Sequence, residues 1–196
     1  PELEALLGPD AGEQVVAALA RRLPGPLAVH TLQPRERLVF LLGGQLLYHR
    51  GAAPDEHIEP LLLGELRRDL ADVDVVALPT VDGGSEQQWM LFELCYADYR
   101  PQVLVLGIPA SEAAEVVEGQ PRSSPEVVTA VVERAQRWCR ENNCELVLLA
   151  DARLSEALLT ALRSAGADLA LVEVTPNATP MEFARQLAAA VAGLLE

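Results

Sequence analysis

Asp74 and Glu93 are the two acidic residues whose types and spacing could do chemistry in this chain. The stretch Asp72-Val-Asp-Val-Val-Ala-Leu-Pro79 has the β-branched content of a strand, and residues 89–95 read as another. Gly83-Gly84 between them suits a tight hairpin turn, because glycine takes positive φ without steric cost. A turn centred there sets Asp74 opposite Glu93, Val76 opposite Leu91 and Leu78 opposite Trp89. The other side of the ribbon pairs Val73 with Leu94, Val75 with Phe92 and Ala77 with Met90. Two carboxylates directly opposite on adjacent strands repel each other. Such a pair requires a cation, a shared proton or full exposure to water. With Asp72 next along the same face, a divalent ion held there would polarise a phosphate and activate a water. The alternative is a pair of acids at a solvated strand end.

Asp74 followed by Glu93-Leu94-Cys95 resembles the PD-(D/E)XK nucleases in degenerate form. The order helix, three strands, helix, strand over residues 55–150 is similar to that family as well. The resemblance spans roughly half the chain. It implies Asp74, Glu93 and Asp72 as ligands of Mg or Mn, with no cofactor otherwise. Cys95 stands where the family places the lysine that orients the attacking water. In addition, the family carries its Glu on the third core strand, and residues 102–108, third when counted from residue 55, hold no acid.

Lysine is absent altogether: all 15 basic residues are arginine, as suits a GC-rich genome. That removes a Walker-type phosphate loop, a Schiff base and a kinase strand lysine. His30, His49 and His57 form no HExxH, and there is neither a GxSxG elbow nor a GxGxxG. Cys95, Cys139 and Cys144 have no CxxC spacing and are odd in number, which fits a reduced cytosolic protein. A second conditional site lies at Gly107 and Asp151, near the carboxyl ends of two expected strands. Open α/β sheets place ligands at such ends, so these residues would serve a small-ligand sensor.

The elements that must position these residues divide into two halves. A helix over 12–23, strands over 27–32, 37–42 and 45–49, and a hairpin turn at Gly43-Gly44 come first, followed by a helix near 55–70. Residues 102–108 read as a further strand and 109–121 as an acidic loop. From Ser123 the pattern is regular: a capping box at Ser123–Glu126 and a helix to about Asn142, a strand over 145–150, a helix from Ser155 to Gly166, and a strand over 169–174. A second capping box, Thr179-Pro-Met-Glu182, opens a C-terminal helix. These predict an α/β fold with a mixed sheet: antiparallel hairpins in the first half, strand–helix alternation in the second, and helices on both faces. We expect one domain over 1–196, with room for an N-terminal subdomain over 1–71 and a main part over 72–196.

At 196 residues with 50% hydrophobic content, the chain can bury a full core. Its net charge of −14 disfavours a nucleic-acid interface. No apolar run has the length of a membrane span. The function these features predict is a non-catalytic interaction or regulatory domain of a cytoplasmic bacterial-type protein, working through a protein partner or a homo-oligomer. The alternatives are the metal-dependent nuclease and the small-ligand sensor.

Overall fold

Continuous apolar runs make the sheet. β3 (Val103–Ile108) is buried at every position, and β1 (Arg37–Leu42) and β4 (Glu145–Asp151) are buried at every position after their first. Strands of this kind have no face to offer water, so helices must cover both sides. The computed structural model of the chain describes residues 37–43, 47, 57–78, 84–108, 125–151, 153–165, 170–174 and 178–195. Between β1 and β3 come α1 (Ile58–Leu66), β2 (Val73–Leu78), α2 (Ser85–Cys95) and a 3-10 turn (Ala97–Tyr99). After β3 come α3 (Pro125–Asn142), β4, α4 (Glu156–Ala165), β5 (Ala170–Val174) and α5 (Pro180–Leu195). The strands lie in the order β2-β1-β3-β4-β5, and every pairing is parallel. This is a doubly wound order whose direction reverses between β1 and β3.

The mixed sheet expected from the sequence is therefore corrected to a wholly parallel one. β1 carries β2 along one edge and β3 along the other, with Leu38 beside Asp74 and Phe40 beside Leu104. Neither edge of β1 is left for the hairpin partner expected at 45–49. Of that stretch only Leu47 is described, as a buried turn residue. The helix at 12–23, the strand at 27–32, the loop at 109–121, His30 and His49 lie outside the described residues.

The second correction concerns residues 89–95, expected as a strand and found in α2. Its buried positions are Ser85, Gln88, Trp89 and Phe92, one stripe of a helix. Met90 and Leu94, which the hairpin reading set on an apolar face, are 49% and 67% exposed. Two polar residues inside the buried stripe masked the helical period. The second half follows the sequence closely: α3, β4, α4 and β5 each start and end within two residues of expectation, and α5 starts directly after Thr179.

α1 and α5 pack together and close one face of the sheet over Val39, Leu41, Val75, Val105 and Leu149. α2 and α3 pack together on β1 and β4, where the aromatic side chains collect. Phe40, Phe92, Trp89, Trp138, Tyr96 and Tyr99 form a connected set with ring centroids 5.0 to 6.3 Å apart. Among the described residues only Phe183 stands outside this set, so the described aromatics are concentrated under one pair of helices.

The capping box at α5 forms as the sequence predicts. The Thr179 N–H and hydroxyl both donate to Glu182 Oε2, at 2.8 and 2.9 Å, and the Glu182 N–H donates to Thr179 Oγ1 at 3.2 Å. Backbone and side-chain hydrogen bonds from Thr179 hold the Glu182 carboxyl below its ordinary pKa. A group lowered on folding stabilises the fold above its unfolded pKa, and that contribution is lost as pH falls through the folded value. In thermal melts, wild type should therefore exceed Glu182→Gln in Tm at pH 7. The difference should vanish below the carboxylate range; a constant offset down to about pH 3 would contradict it.

Candidate active site

A parallel sheet of this order opens a crevice where neighbouring strands send their chains to opposite faces. Here that place is the carboxyl end of β1 and β3. Their pairing runs to Leu42 beside Leu106 and ends at two glycines, Gly43 and Gly107. A Cβ on Gly107 would lie 2.6 Å from Gly43 Cα and 3.2 Å from the Leu42 carbonyl oxygen. Only bare backbone fits at that separation. The two strand ends therefore form a closely packed backbone floor at the reversal point.

Around this floor the described carboxyl edge carries polar groups from several elements. His57 is the N-cap residue of α1, the helix that follows β1. Ser85 and Gln88, in the first turns of α2, are fully buried polar side chains. At the end of β4, Asp151 is 3% exposed and holds Arg153 through a two-pronged ion pair. Arg153 Nε donates to Oδ1 at 2.9 Å and Nη2 to Oδ2 at 2.6 Å, while the Arg153 backbone N–H also donates to Oδ1 at 2.9 Å. These hydrogen bonds, with the charge of Asp151, raise the pKa of the guanidinium further. A buried carboxylate thus fixes an arginine whose side chain is 65% exposed.

The acids singled out in the sequence lie elsewhere. Asp72 precedes β2 and pairs with Arg37 at 3.3 Å. Asp74 sits in the first half of β2, where its Oδ1 accepts from the Val75 N–H at 3.0 Å. Glu93 is on α2 and pairs with Arg134 of α3 at 2.8 Å. With Glu93 on a helix and not on a facing strand, the hairpin that set it opposite Asp74 does not exist. Among the described residues no group of three or more His, Cys, Asp or Glu is placed to hold a metal ion. Gly107 and Asp151, by contrast, both stand at the carboxyl edge, at the ends of neighbouring strands. A groove of about 220 Å³ between α1 and α5, lined by Glu65, Arg68, Arg185 and Ala188, is crossed by the Arg185–Glu65 ion pair, and Glu65 also pairs with Arg68 beside it.

This arrangement defines a doubly wound α/β protein with its candidate site at the β1–β3 reversal. No family model and no curated protein matches the chain. Among solved structures it is similar to TesA, at a TM-score of 0.64 and 14% identity over 80% of this chain and 99% of that one. It is similar to LAE5, an α/β hydrolase enzyme from the metagenome of Lake Arreo, Spain, at 0.61 and 11% over 81% and 94%. It is also similar to a protein from Parabacteroides merdae described as a GDSL-like lipase, at 0.59 and 12% over 83% and 99%. At these identities the likeness is one of fold. It corrects the relation to PD-(D/E)XK nucleases, since the fold is shared with a lipase-like protein and a hydrolase. The fold neighbours are described as a hydrolase and a lipase, against the expectation of a non-catalytic interaction domain with its nuclease and sensor alternatives. Among the described residues no helix is long and apolar enough to cross a membrane.

Sequence reasoning missed Ser85, Gln88, His57 and Arg153 at this edge. Ser85, Gln88, Trp89 and Phe92 carry the helical spacing that would have placed the first two. Nothing in the sequence marks Arg153 as the partner of a buried acid.

Proposed function

We propose that the protein is an ester hydrolase of the acyl-transfer class, acting at the carboxyl edge of its sheet beside Gly43 and Gly107. The observation that carries this reading is the fold likeness over about four-fifths of the chain to an α/β hydrolase and a GDSL-like lipase. Acyl transfer requires a nucleophile, a base and donors for the developing oxyanion. The residues directly after β1, Gly43-Gly44-Gln45-Leu46, offer no hydroxyl or thiol.

A glutamine amide is no nucleophile, so on this reading the attacking hydroxyl comes from another residue that follows a strand end. Ser85 is buried at the head of α2, and Ser155 Oγ accepts the Leu158 N–H at 3.3 Å as a helix cap. Thr80, Ser111 and Thr175, which follow β2, β3 and β5 in the chain, lie outside the described residues. Of these, Ser111 comes three residues after β3, one of the two strands that end on the glycine floor, and it is the first to test as the nucleophile. His49 and His57, on the segment after β1, are the candidate bases. A cytoplasmic setting is part of the proposal, since three cysteines without CxxC spacing fit a reducing compartment.

The test is turnover of short-chain p-nitrophenyl esters by wild type and Ser111→Ala. Release above the buffer rate by wild type, reduced at least about 100-fold in the variant, is the expected result. Wild-type release no faster than buffer contradicts the hydrolase reading. Full activity in Ser111→Ala contradicts the assignment of the nucleophile.

A further inference from the structure

Two cysteines bracket the turn where α3 stops and β4 begins. Asn143 takes the left-handed conformation at φ 53°, and the Cys144 N–H donates to the Cys139 carbonyl at 2.9 Å. A bond of that span around a left-handed residue is the Schellman helix stop, which commonly brings the side chains of its first and last residues together. In this chain both of those residues are cysteine. Cys139 and Cys144 are both buried, at 3% and 7% exposed. Cys144 Sγ also lies 3.5 Å from the Glu145 carbonyl oxygen, which accepts its proton. Cys95 is exposed on α2 and takes no part in this turn.

We propose that Cys139 and Cys144 form a reversible intrachain disulfide that staples the end of α3 to the start of β4. A disulfide needs Cα atoms within roughly 4.4–6.8 Å, and a turn closed by its own backbone hydrogen bond brings its end residues close enough. The oxidant is a low-molecular-weight disulfide. One protein thiolate attacks it and releases one small thiol; the second protein thiolate then displaces the other half. Overall, two protein thiols give up two protons and two electrons, and one small disulfide becomes two small thiols. The neighbouring Cys144 and burial push the Cys139 thiol upward in pKa, so thiolate is scarce and oxidation is slow. The pair thus stays reduced in ordinary conditions and closes under sustained oxidation. It lies at the amino end of β4, away from the candidate active site, and does not depend on the hydrolase reading.

The test incubates the intact protein with oxidised glutathione at about pH 8.5, alkylates it in denaturant and maps the peptides. The expected product has Cys139 linked to Cys144, the pair carrying neither alkyl group nor glutathione. Its Tm should rise by about 5 °C and fall back with dithiothreitol, because the closed loop is short and the constraint modest. Cys144→Ser and Cys139→Ser should each lose both the linkage and the Tm rise. Alkylation or stable glutathione adducts at both positions in the wild type, without a linked peptide, would overturn the proposal.

Discussion

Phe92→Ala is expected to lower the stability of the protein by about 3–5 kcal/mol, the range for deleting a fully buried aromatic ring. Phe92 is completely buried. Its ring meets Phe40 at 5.2 Å, Trp138 at 5.0 Å and Trp89 at 5.5 Å, joining the sheet to both helices on that face. With so few aromatics in the chain, and most of them gathered here, no second cluster can compensate. Phe92→Leu keeps much of the volume and should cost markedly less. Urea denaturation reads both variants, and the only two tryptophans of the chain flank the site, so fluorescence reports on it directly. A loss below about 1 kcal/mol for Phe92→Ala would show that these rings do not form a packed core.

Gly107→Ala should cost about 1–3 kcal/mol, the usual range for overpacking a close-packed site. The added carbon would meet Gly43 Cα at 2.6 Å. That atom belongs to the backbone directly after a central strand, which cannot turn aside as a side chain can. Gly43→Ala provides the comparison: its added carbon would meet Leu47 Cγ at 2.6 Å and Cδ1 at 2.7 Å, both atoms of a side chain with other rotamers. The predicted order of destabilisation is Gly107→Ala above Gly43→Ala. Because Gly107 lies on the floor of the candidate site, its variant should also lose ester turnover beyond what unfolding explains. Equal stability of Gly107→Ala and wild type in chemical denaturation would mean the two strand ends are not in contact.

The second half of the chain was legible because each element repeats with one period and announces its ends. Ser155 caps α4, the Thr179–Glu182 box opens α5, and the apolar run of β4 needs no long-range information. The first half was misread at its glycines. Gly43-Gly44 and Gly83-Gly84 look alike in sequence, yet Gly43 serves close packing against Gly107 and Gly84 is the N-cap residue of α2. Glycine suits a turn, a close approach or a helix start, and only tertiary context separates these uses. Reading both pairs as hairpins made the sheet antiparallel and set Asp74 against Glu93. At the site, Gly107 and Asp151 could be placed because the ends of apolar strands are visible in sequence. The Asp151–Arg153 pair and the buried Ser85 and Gln88 could not, since burial follows from how the elements stack.

The most direct measurement is the intact mass of the protein after treatment with a fluorophosphonate, followed by peptide mapping. The hydrolase reading predicts one adduct, carried by a serine or threonine that follows a strand carboxyl end, with Ser111 foremost. It also predicts protection when a short-chain ester is present in excess. An unmodified mass, or an adduct that the ester does not suppress, would contradict an acyl-transfer site at the β1–β3 reversal.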